Sequence, residues 1–308
     1  MEKQFVVPED EAGQRLDVYL TRRIGFLSRS QVKKLIDLGE VRVNGEVIKA
    51  GYRLKGGEII DVKIKPVSND TAIEPENIPL NLIYVDDDII VINKPAGLIV
   101  HPGAGQKKGT LVNALLYHFP EIATVGPIER PGIVHRLDAE TSGVMVVARS
   151  AIAYKSLQRQ FKNREVDKTY LGIVWGKFSQ KGGKIEWAIG RHPHDRQRFS
   201  VRTRHPKEAI TVFSVLHEGK DFSVLEIKPI TGRTHQIRVH LAAAGHPIIG
   251  DRRYGRRDKR GSRLFLHARR LAFIHPTKKV WMEFESPIPD EFRFYWQDEL
   301  ETREKRKA

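Results

Sequence analysis

Residues 131–148 read PGIVHRLDAETSGVMVVA, a polar, turn-rich segment that runs directly into an apolar strand. This order is typical of an active-site loop, because loops carry functional side chains and a buried strand holds them in place. Taken singly, an aspartate such as Asp138 is more often a turn or cap residue. The segment therefore predicts a place for chemistry without specifying the reaction.

Around this segment, strand-like and helical runs alternate irregularly. This pattern predicts an α+β protein with a mixed, largely antiparallel sheet. Apolar residues recur at helical spacing at 111–117 and 151–161. The strand-like runs lie at 83–85, 89–94, 143–148, 168–174, 211–216 and 223–227.

The N-terminal residues predict a small separate domain of two helices followed by short strands. Gly39 ends the second helix, and Asn44-Gly45 is typical of a hairpin turn. Three prolines and several polar residues then favour a linker. The predicted division is a small domain at 1–65, a linker at 66–79, a larger domain at 80–290 and a C-terminal tail at 291–308.

The composition excludes several classes of protein. The chain contains no cysteine, which excludes disulfides, thiolate metal sites and a cysteine nucleophile. It has no apolar run of the roughly 18 to 20 residues that a membrane span requires, and its first ten residues do not resemble a signal peptide. We expect a cytoplasmic protein that does not contact a membrane.

Positive charge is concentrated in one part of the chain. The net charge is +15, and residues 191–279 alone contain 21 basic and 7 acidic residues. A basic surface exposed to solvent would explain this only if both signs were interspersed. The distribution favours a polyanionic partner, and nucleic acid is the best candidate.

Familiar nucleotide and metal motifs are absent from the sequence. There is no G-x-G-x-x-G, no G-x-x-x-x-G-K-[ST], no G-x-S-x-G and no H-E-x-x-H. The densest histidine cluster, RHPHD at 191–195, is interrupted by a proline and flanked by arginines, which disfavours a metal site. We therefore expect no metal and no cofactor.

Two long segments resemble a known family. HRLDAETSG at 135–143 and ITGRTHQIRVHLAAAGHPIIGDRRYG at 230–255 are similar to signatures of the RluA/RluD family of RNA pseudouridine synthases. KPAGLIVHPG at 94–103 and KTYLGIVWG at 168–176 match further family blocks in the expected order. Residues 15–64 resemble the RNA-binding domain first seen in ribosomal small-subunit protein four.

The resemblance implies an isomerase, closest to the RluD branch, that converts specific uridines of 23S large-subunit ribosomal RNA to pseudouridine. The RNA could be free or part of a precursor ribosomal particle, and we expect a monomer. Two alternatives stay open. A noncatalytic RNA-binding or ribosome-assembly protein would use the same basic surface, and a glycosidase would release free uracil.

The resemblance also assigns three catalytic residues. Asp138 matches the family carboxylate, which either attacks the ribose C1′ or abstracts a sugar proton. Arg233 matches the arginine that keeps this carboxylate ionised in a dry cleft. Tyr170 matches the aromatic residue that holds the detached base by stacking and handles protons.

Further residues are predicted to bind RNA. Arg136 resembles the family arginine that fills the space left by the flipped-out nucleotide or contacts the RNA, and His135 precedes it. The remaining candidates supply salt-sensitive backbone contacts. They are Arg15, Arg29, Lys33 and Lys34 in the small domain and Arg252, Arg253, Arg256 and Arg257 in the larger one.

Overall fold

The computed structural model describes residues 2–25, 29–63, 73–103, 106–195, 197–255, 263–293 and 295, without the side chains of Ser30, Gln31 and Lys34. The chain divides into two compact units, Met1–Ala72 and Ile73–Ala308. In the part of the chain that the structure describes, no helix is long and apolar enough to cross a membrane.

The first unit packs two short helices and a four-stranded antiparallel sheet around one core. Leu16 and Leu20 of the first helix and Ile60 of the last strand are fully buried there. The sheet order is β1-β4-β2-β3. The elements are β1 (Glu2–Val6), α1 (Leu16–Ile24), α2 (Arg29–Asp37), β2 (Val41–Val43), β3 (Glu46–Val47) and β4 (Ile59–Lys63).

Two turns of this unit form where the sequence predicts them. Gly39, directly after α2, has a φ of 73°, and Asn44 and Gly45 join β2 to β3 with φ values of 49° and 83°. Glycine and asparagine tolerate this left-handed backbone better than other residues. The predicted helix end and the predicted hairpin are both confirmed.

In its described residues, the second unit contains a large sheet with four α-helices. A 3-10 turn at Pro120–Thr124 follows the first of them. The elements are β5 (Leu82–Val85), β6 (Ile89–Lys94), α3 (Leu111–His118), β7 (Ser142–Ala148), α4 (Ala151–Asn163), β8 (Asp167–Trp175), β9 (Gly182–Ile185), β10 (Gly190–Arg191), β11 (Phe199–Ser200), β12 (Thr211–Glu218), β13 (Phe222–Pro229), α5 (Gln236–Ala243), β14 (Leu266–Ile274), β15 (Trp281–Glu285) and α6 (Asp290–Arg293).

The strand order of the large sheet is β5-β6-β7-β14-β8-β13-β12-β9. In addition, β15 pairs with the C-terminal half of β14. Among the described strands, β7 and β14 form the one parallel pair. All seven residues of β7 are buried, so this strand anchors the 131–141 loop to the core. The predicted α+β class with a mixed, mostly antiparallel sheet is confirmed.

Both ends of the predicted larger domain differ from the prediction. The sequence predicts a linker that includes residues 73–79, yet the Asn113 side chain donates to the Glu74 carbonyl and the Glu76 amide donates to the Asn113 carbonyl. These bonds fix the segment on α3. At the other end, Phe292 of the predicted tail is fully buried in α6, because its ring packs on Phe265.

Candidate active site

Asp138 lies in a tight turn between a buried residue and the start of β7. The Leu137 side chain is buried in the core, and the Thr141 amide donates to the Asp138 carbonyl at 3.1 Å. The Asp138 carboxylate is 17% exposed. The turn therefore holds the carboxylate at a partly dry surface instead of leaving it free in solvent.

Lys94, at the end of β6, holds the same turn from the other side. Its buried ammonium donates to the carbonyl oxygens of Pro95 and Leu98 at 2.8 Å and of Ala139 at 2.9 Å. Burial lowers the pKa of Lys94 to about 7. Since only the ammonium form has three N–H donors, loss of its proton would leave one carbonyl unbonded.

The loop before α5 forms the opposite wall. The Gln236 side-chain oxygen accepts hydrogen bonds from the Thr231 hydroxyl and the Arg233 amide, while its nitrogen donates to the Ile210 carbonyl. His235 has a left-handed backbone with a φ of 55°. This turn places its Nε2 3.9 Å from Asp138 Oδ1, and burial lowers its pKa.

Arg238 is the arginine that contacts the Asp138 carboxylate. Its Nη1 donates to Asp138 Oδ2 at 3.2 Å, while Nε and Nη2 donate to the two carboxylate oxygens of the buried Asp251 at 2.8 Å each. Burial opposes the charge of Arg238, but the hydrogen bonds and charges of the two aspartates outweigh burial and raise its pKa. The guanidinium is therefore permanently charged and fixed in orientation.

The prediction that Arg233 pairs with Asp138 is therefore wrong. The Arg233 Nε donates to the carbonyl oxygen of Glu208 at 2.9 Å. The physical reason is the start of α5: the helix begins at Gln236, so Arg233 lies in the preceding loop and Arg238 in the first helical turn. Arg233 still lines the cavity that contains Asp138 and Tyr170.

Tyr170 lies on β8, and its side chain packs against two hydrophobic clusters of the second unit. Burial, together with the nearby Asp138 charge, raises the pKa of Tyr170 well above its usual value. The phenol therefore stays protonated at neutral pH. A protonated phenol does not act as a general base, so the role that suits Tyr170 is stacking of its ring on the uracil.

Two cavities meet at Asp138. The first, of about 560 Å³, lies between β8, α4 and the loop before α5, and Tyr170 lines it. The second, of about 760 Å³, lies toward Arg198, Arg252 and Arg253. Residues that line both are His101, Arg136, Leu137, Asp138, His235 and Arg238.

Arg136 and His135, the two residues before Leu137, have different environments. Arg136 is exposed and reaches both cavities, which suits the predicted contact with RNA. The His135 ring instead stacks on Phe161 at 4.4 Å, and its Nε2 accepts from the Val146 amide. Burial lowers the pKa of His135 to about 3, so the ring is neutral. These contacts fix the ring in the fold, and His135 also lines the first cavity, so its contact with RNA stays a prediction.

The other predicted RNA contacts lie in both units. Arg252 and Arg253 are exposed on the second cavity, and Arg256 and Arg257 lie outside the described residues. In the first unit, Asp17 accepts hydrogen bonds from Arg15 and Arg29. Lys33 is exposed on α2, and the side chain of Lys34 is not described.

Sequence reasoning missed Arg238, Asp251 and Lys94. One signal was available for Arg238, which lies between the apolar residues Ile237 and Val239 of α5. A buried charge in such a place requires a buried partner. Among the described residues, no group of three histidine, aspartate or glutamate side chains is placed to hold a metal ion.

Two family models match the chain, one in each unit. The family model for RNA pseudouridylate synthase matches residues 88–243, which contain Asp138, Tyr170 and Arg238. The model for the S4 domain matches residues 14–60 of the first unit.

Relatives match almost the whole chain. An "Uncharacterized RNA pseudouridine synthase" of Aquifex aeolicus is 45% identical over 96% of this chain and 97% of its own length. "Ribosomal large subunit pseudouridine synthase D" of Pasteurella multocida is 41% identical over 92% of this chain and 90% of its own. The solved structure of "Human RNA Pseudouridylate Synthase Domain Containing 1" aligns with a TM-score of 0.58 and 32% identity, over 73% of this chain and 87% of that one.

Proposed function

Because the chain belongs to the family of RNA pseudouridylate synthases, which are isomerases, we propose that it converts specific uridines of 23S large-subunit ribosomal RNA to pseudouridine. One observation carries the catalytic assignment: Asp138 is paired with a fixed arginine at the junction of two cavities, and Tyr170 lines one of them. The large-subunit substrate follows the printed name of the Pasteurella multocida relative.

The reaction moves one bond and needs no oxidant. The uracil N1–C1′ bond breaks, the base turns, and a C5–C1′ bond forms. C5 loses its proton to solvent and N1 takes up a proton, so the product is an isomer of the substrate. Asp138 either attacks C1′ or removes a sugar proton, and both roles require its ionised form. Arg238 stabilises that form, since it keeps a permanent positive charge 3.2 Å away.

Tyr170 and Arg136 have separate tasks in this proposal. The Tyr170 ring stacks on the base while the base is detached, which keeps uracil from leaving the cavity. Arg136 extends from the same turn as Asp138 and has no described ion-pair partner, so it is free to contact the flipped-out nucleotide or to fill its place.

The basic surface selects the partner. Arg252 and Arg253 line the second cavity, and Arg15, Arg29 and Lys33 are exposed on the S4 unit. Such cations contact phosphates without reading bases, so affinity falls steeply with salt. We propose that the enzyme acts in the cytoplasm as a monomer, on free 23S RNA or a precursor particle.

The test measures tritium release from 23S transcripts labelled at uridine C5. We expect release by the wild type and none by Asp138→Asn, with RNA binding unchanged. Asp290→Asn is the matched control. Asp290 is 98% exposed and lines neither cavity, so this variant should keep full activity. Carbodiimide mapping then identifies the modified uridines.

A noncatalytic RNA-binding protein is the second candidate, supported by the S4 match alone. It predicts RNA binding by both proteins and tritium release by neither, on naked RNA and on precursor particles. Release of free uracil, with a loss of RNA mass, would instead indicate a glycosidase.

A further inference from the structure

The first cavity extends beyond Asp138 and Tyr170 and continues along α4. Tyr154, Gln158, Phe161 and Lys162 lie on one face of this helix, at positions i, i+4, i+7 and i+8. Together with Arg130 and Lys168 they line what we call the outer compartment. The part around Asp138, Tyr170 and Arg238 is the inner compartment.

The alternation of β8 connects the two compartments. Lys168 and Tyr170 are two residues apart on this strand, so their side chains share a face, roughly 6.6 Å apart along the chain. Asp167 and Thr169 point to the other face, where both contact Arg270 Nη2, at 2.6 Å and 3.4 Å. The strand thus directs its cation into the cavity and its carboxylate away from it.

The first cavity has an excess of positive charge. Its lining contains seven arginines and lysines and a single carboxylate, Asp138. That carboxylate is already paired with Arg238, and Arg164 is paired with Glu208. Within the described ranges, no carboxylate forms an ion pair with the lining cations Arg130, Arg136, Lys162 and Lys168.

Lys168 is the least hydrated of these unpaired cations that line the outer compartment. Its side chain is half-buried, and burial lowers its pKa against the opposing charge of Asp167, with a smaller contribution from Arg164. The Asp167 carboxylate itself is bonded to Arg270. A partly desolvated ammonium is costly when no described carboxylate is bonded to it, and an anion that enters the compartment reduces this cost. The inner compartment takes a nucleoside, so the nearest anion on the same strand of RNA is the adjoining phosphate.

We propose that the outer compartment binds the backbone phosphate next to the target uridine, with the Lys168 ammonium as its main ligand. Arg130 and Lys162 complete the cationic wall, and the rings of Tyr154 and Phe161 limit access of water. The proposal rests on the proposed function, because it takes the target nucleoside to lie beside Asp138. It adds a phosphate site to that nucleoside site.

The test uses short RNAs that contain a uridine modified by the wild type. Each of the two linkages next to that uridine is replaced in turn by an uncharged methylphosphonate. For the wild type we expect one linkage to raise KM about tenfold, the value of a typical charge-assisted hydrogen bond. Lys168→Met should raise KM about tenfold on ordinary RNA, with kcat almost unchanged, and should show no further effect of that methylphosphonate.

Two variants complete the design. Lys168→Arg keeps the charge and should retain the methylphosphonate effect. Lys181→Met removes an exposed lysine that is paired with Glu218 and lines neither cavity, and it should behave as the wild type. Equal methylphosphonate effects in the wild type and Lys168→Met, or no effect at either linkage, would overturn the phosphate site. Failure of the wild type to release tritium from ordinary RNA would instead contradict the proposed function.

Discussion

Arg238 Nη1 lies 3.2 Å from Asp138 Oδ2, across one hundred residues of chain. Nε and Nη2 of the same guanidinium donate to Asp251, so only Nη1 donates to the reacting carboxylate. An arginine held in this way provides charge without having to reorganise during the reaction. The position of the Asp138 carboxylate in the inner compartment therefore depends on its contact with Arg238.

Arg238→Lys should lower kcat about a hundredfold or more, because lysine cannot bind both carboxylates with the same planar group. Arg233→Lys is the matched control and should change kcat less than about threefold, since Arg233 bonds to the Glu208 carbonyl instead of Asp138. Single-turnover tritium release measures both. Equal losses in the two variants would contradict the role given to Arg238.

Lys94→Met should lower the free energy of unfolding by about 3 kcal/mol, because it leaves three carbonyl oxygens without their buried donor. The Ala139 turn should also loosen, which lowers kcat in protein that remains folded. Urea unfolding measures the first effect. Lys108→Met removes an exposed lysine paired with Glu74, and it should leave the free energy of unfolding almost unchanged. A similar cost for both variants would refute the structural role of Lys94.

Stability should fall in mild acid, in part because of His267. Burial lowers the pKa of His267 to about 4, while the Ser142 hydroxyl lies 2.8 Å from its Nδ1. Between pH 6.5 and about 4 the unfolded chain binds the proton and the folded chain does not, so folding loses of the order of 3 kcal/mol from this group as pH falls.

Urea unfolding at pH 7 and pH 4.5 checks this loss. His267→Asn should show a smaller decrease in unfolding free energy between the two pH values than the wild type. His194→Asn, which changes an exposed histidine, should show the wild-type decrease. An unchanged pH dependence in His267→Asn would show that this histidine titrates normally.

Asp17→Asn should weaken RNA binding about threefold to tenfold, although it removes a negative charge. The buried Asp17 carboxylate bonds to Arg15 and Arg29, whose side chains remain 46% and 57% exposed, so it holds two cations at the surface of the S4 unit. The loss should be visible in filter binding at low salt. Asp10→Asn, an exposed acidic residue of the same unit, should leave binding unchanged or slightly stronger. Stronger binding by Asp17→Asn would contradict the positioning role.

Elements with strong local signals were predictable. The Asn44-Gly45 hairpin, β7 and α4 follow from turn residues and periodic apolar side chains. The central strand β14 was missed, because His267, Arg269 and Arg270 interrupt its apolar pattern. Its charges are acceptable only after folding, when Arg270 meets Asp167 of β8 and Glu283 of β15.

The candidate site divides in the same way. The α+β class, the two units and the segments that carry Asp138 and Tyr170 could be predicted, because they depend on local pattern and on recognisable motifs. The contact of Arg238, instead of Arg233, with Asp138 could not be predicted, nor could the cavity that Lys168 shares with Tyr170. The physical reason is that which side chain faces inward depends on where α5 begins and on how β8 is packed. Both depend on contacts between residues far apart in the chain.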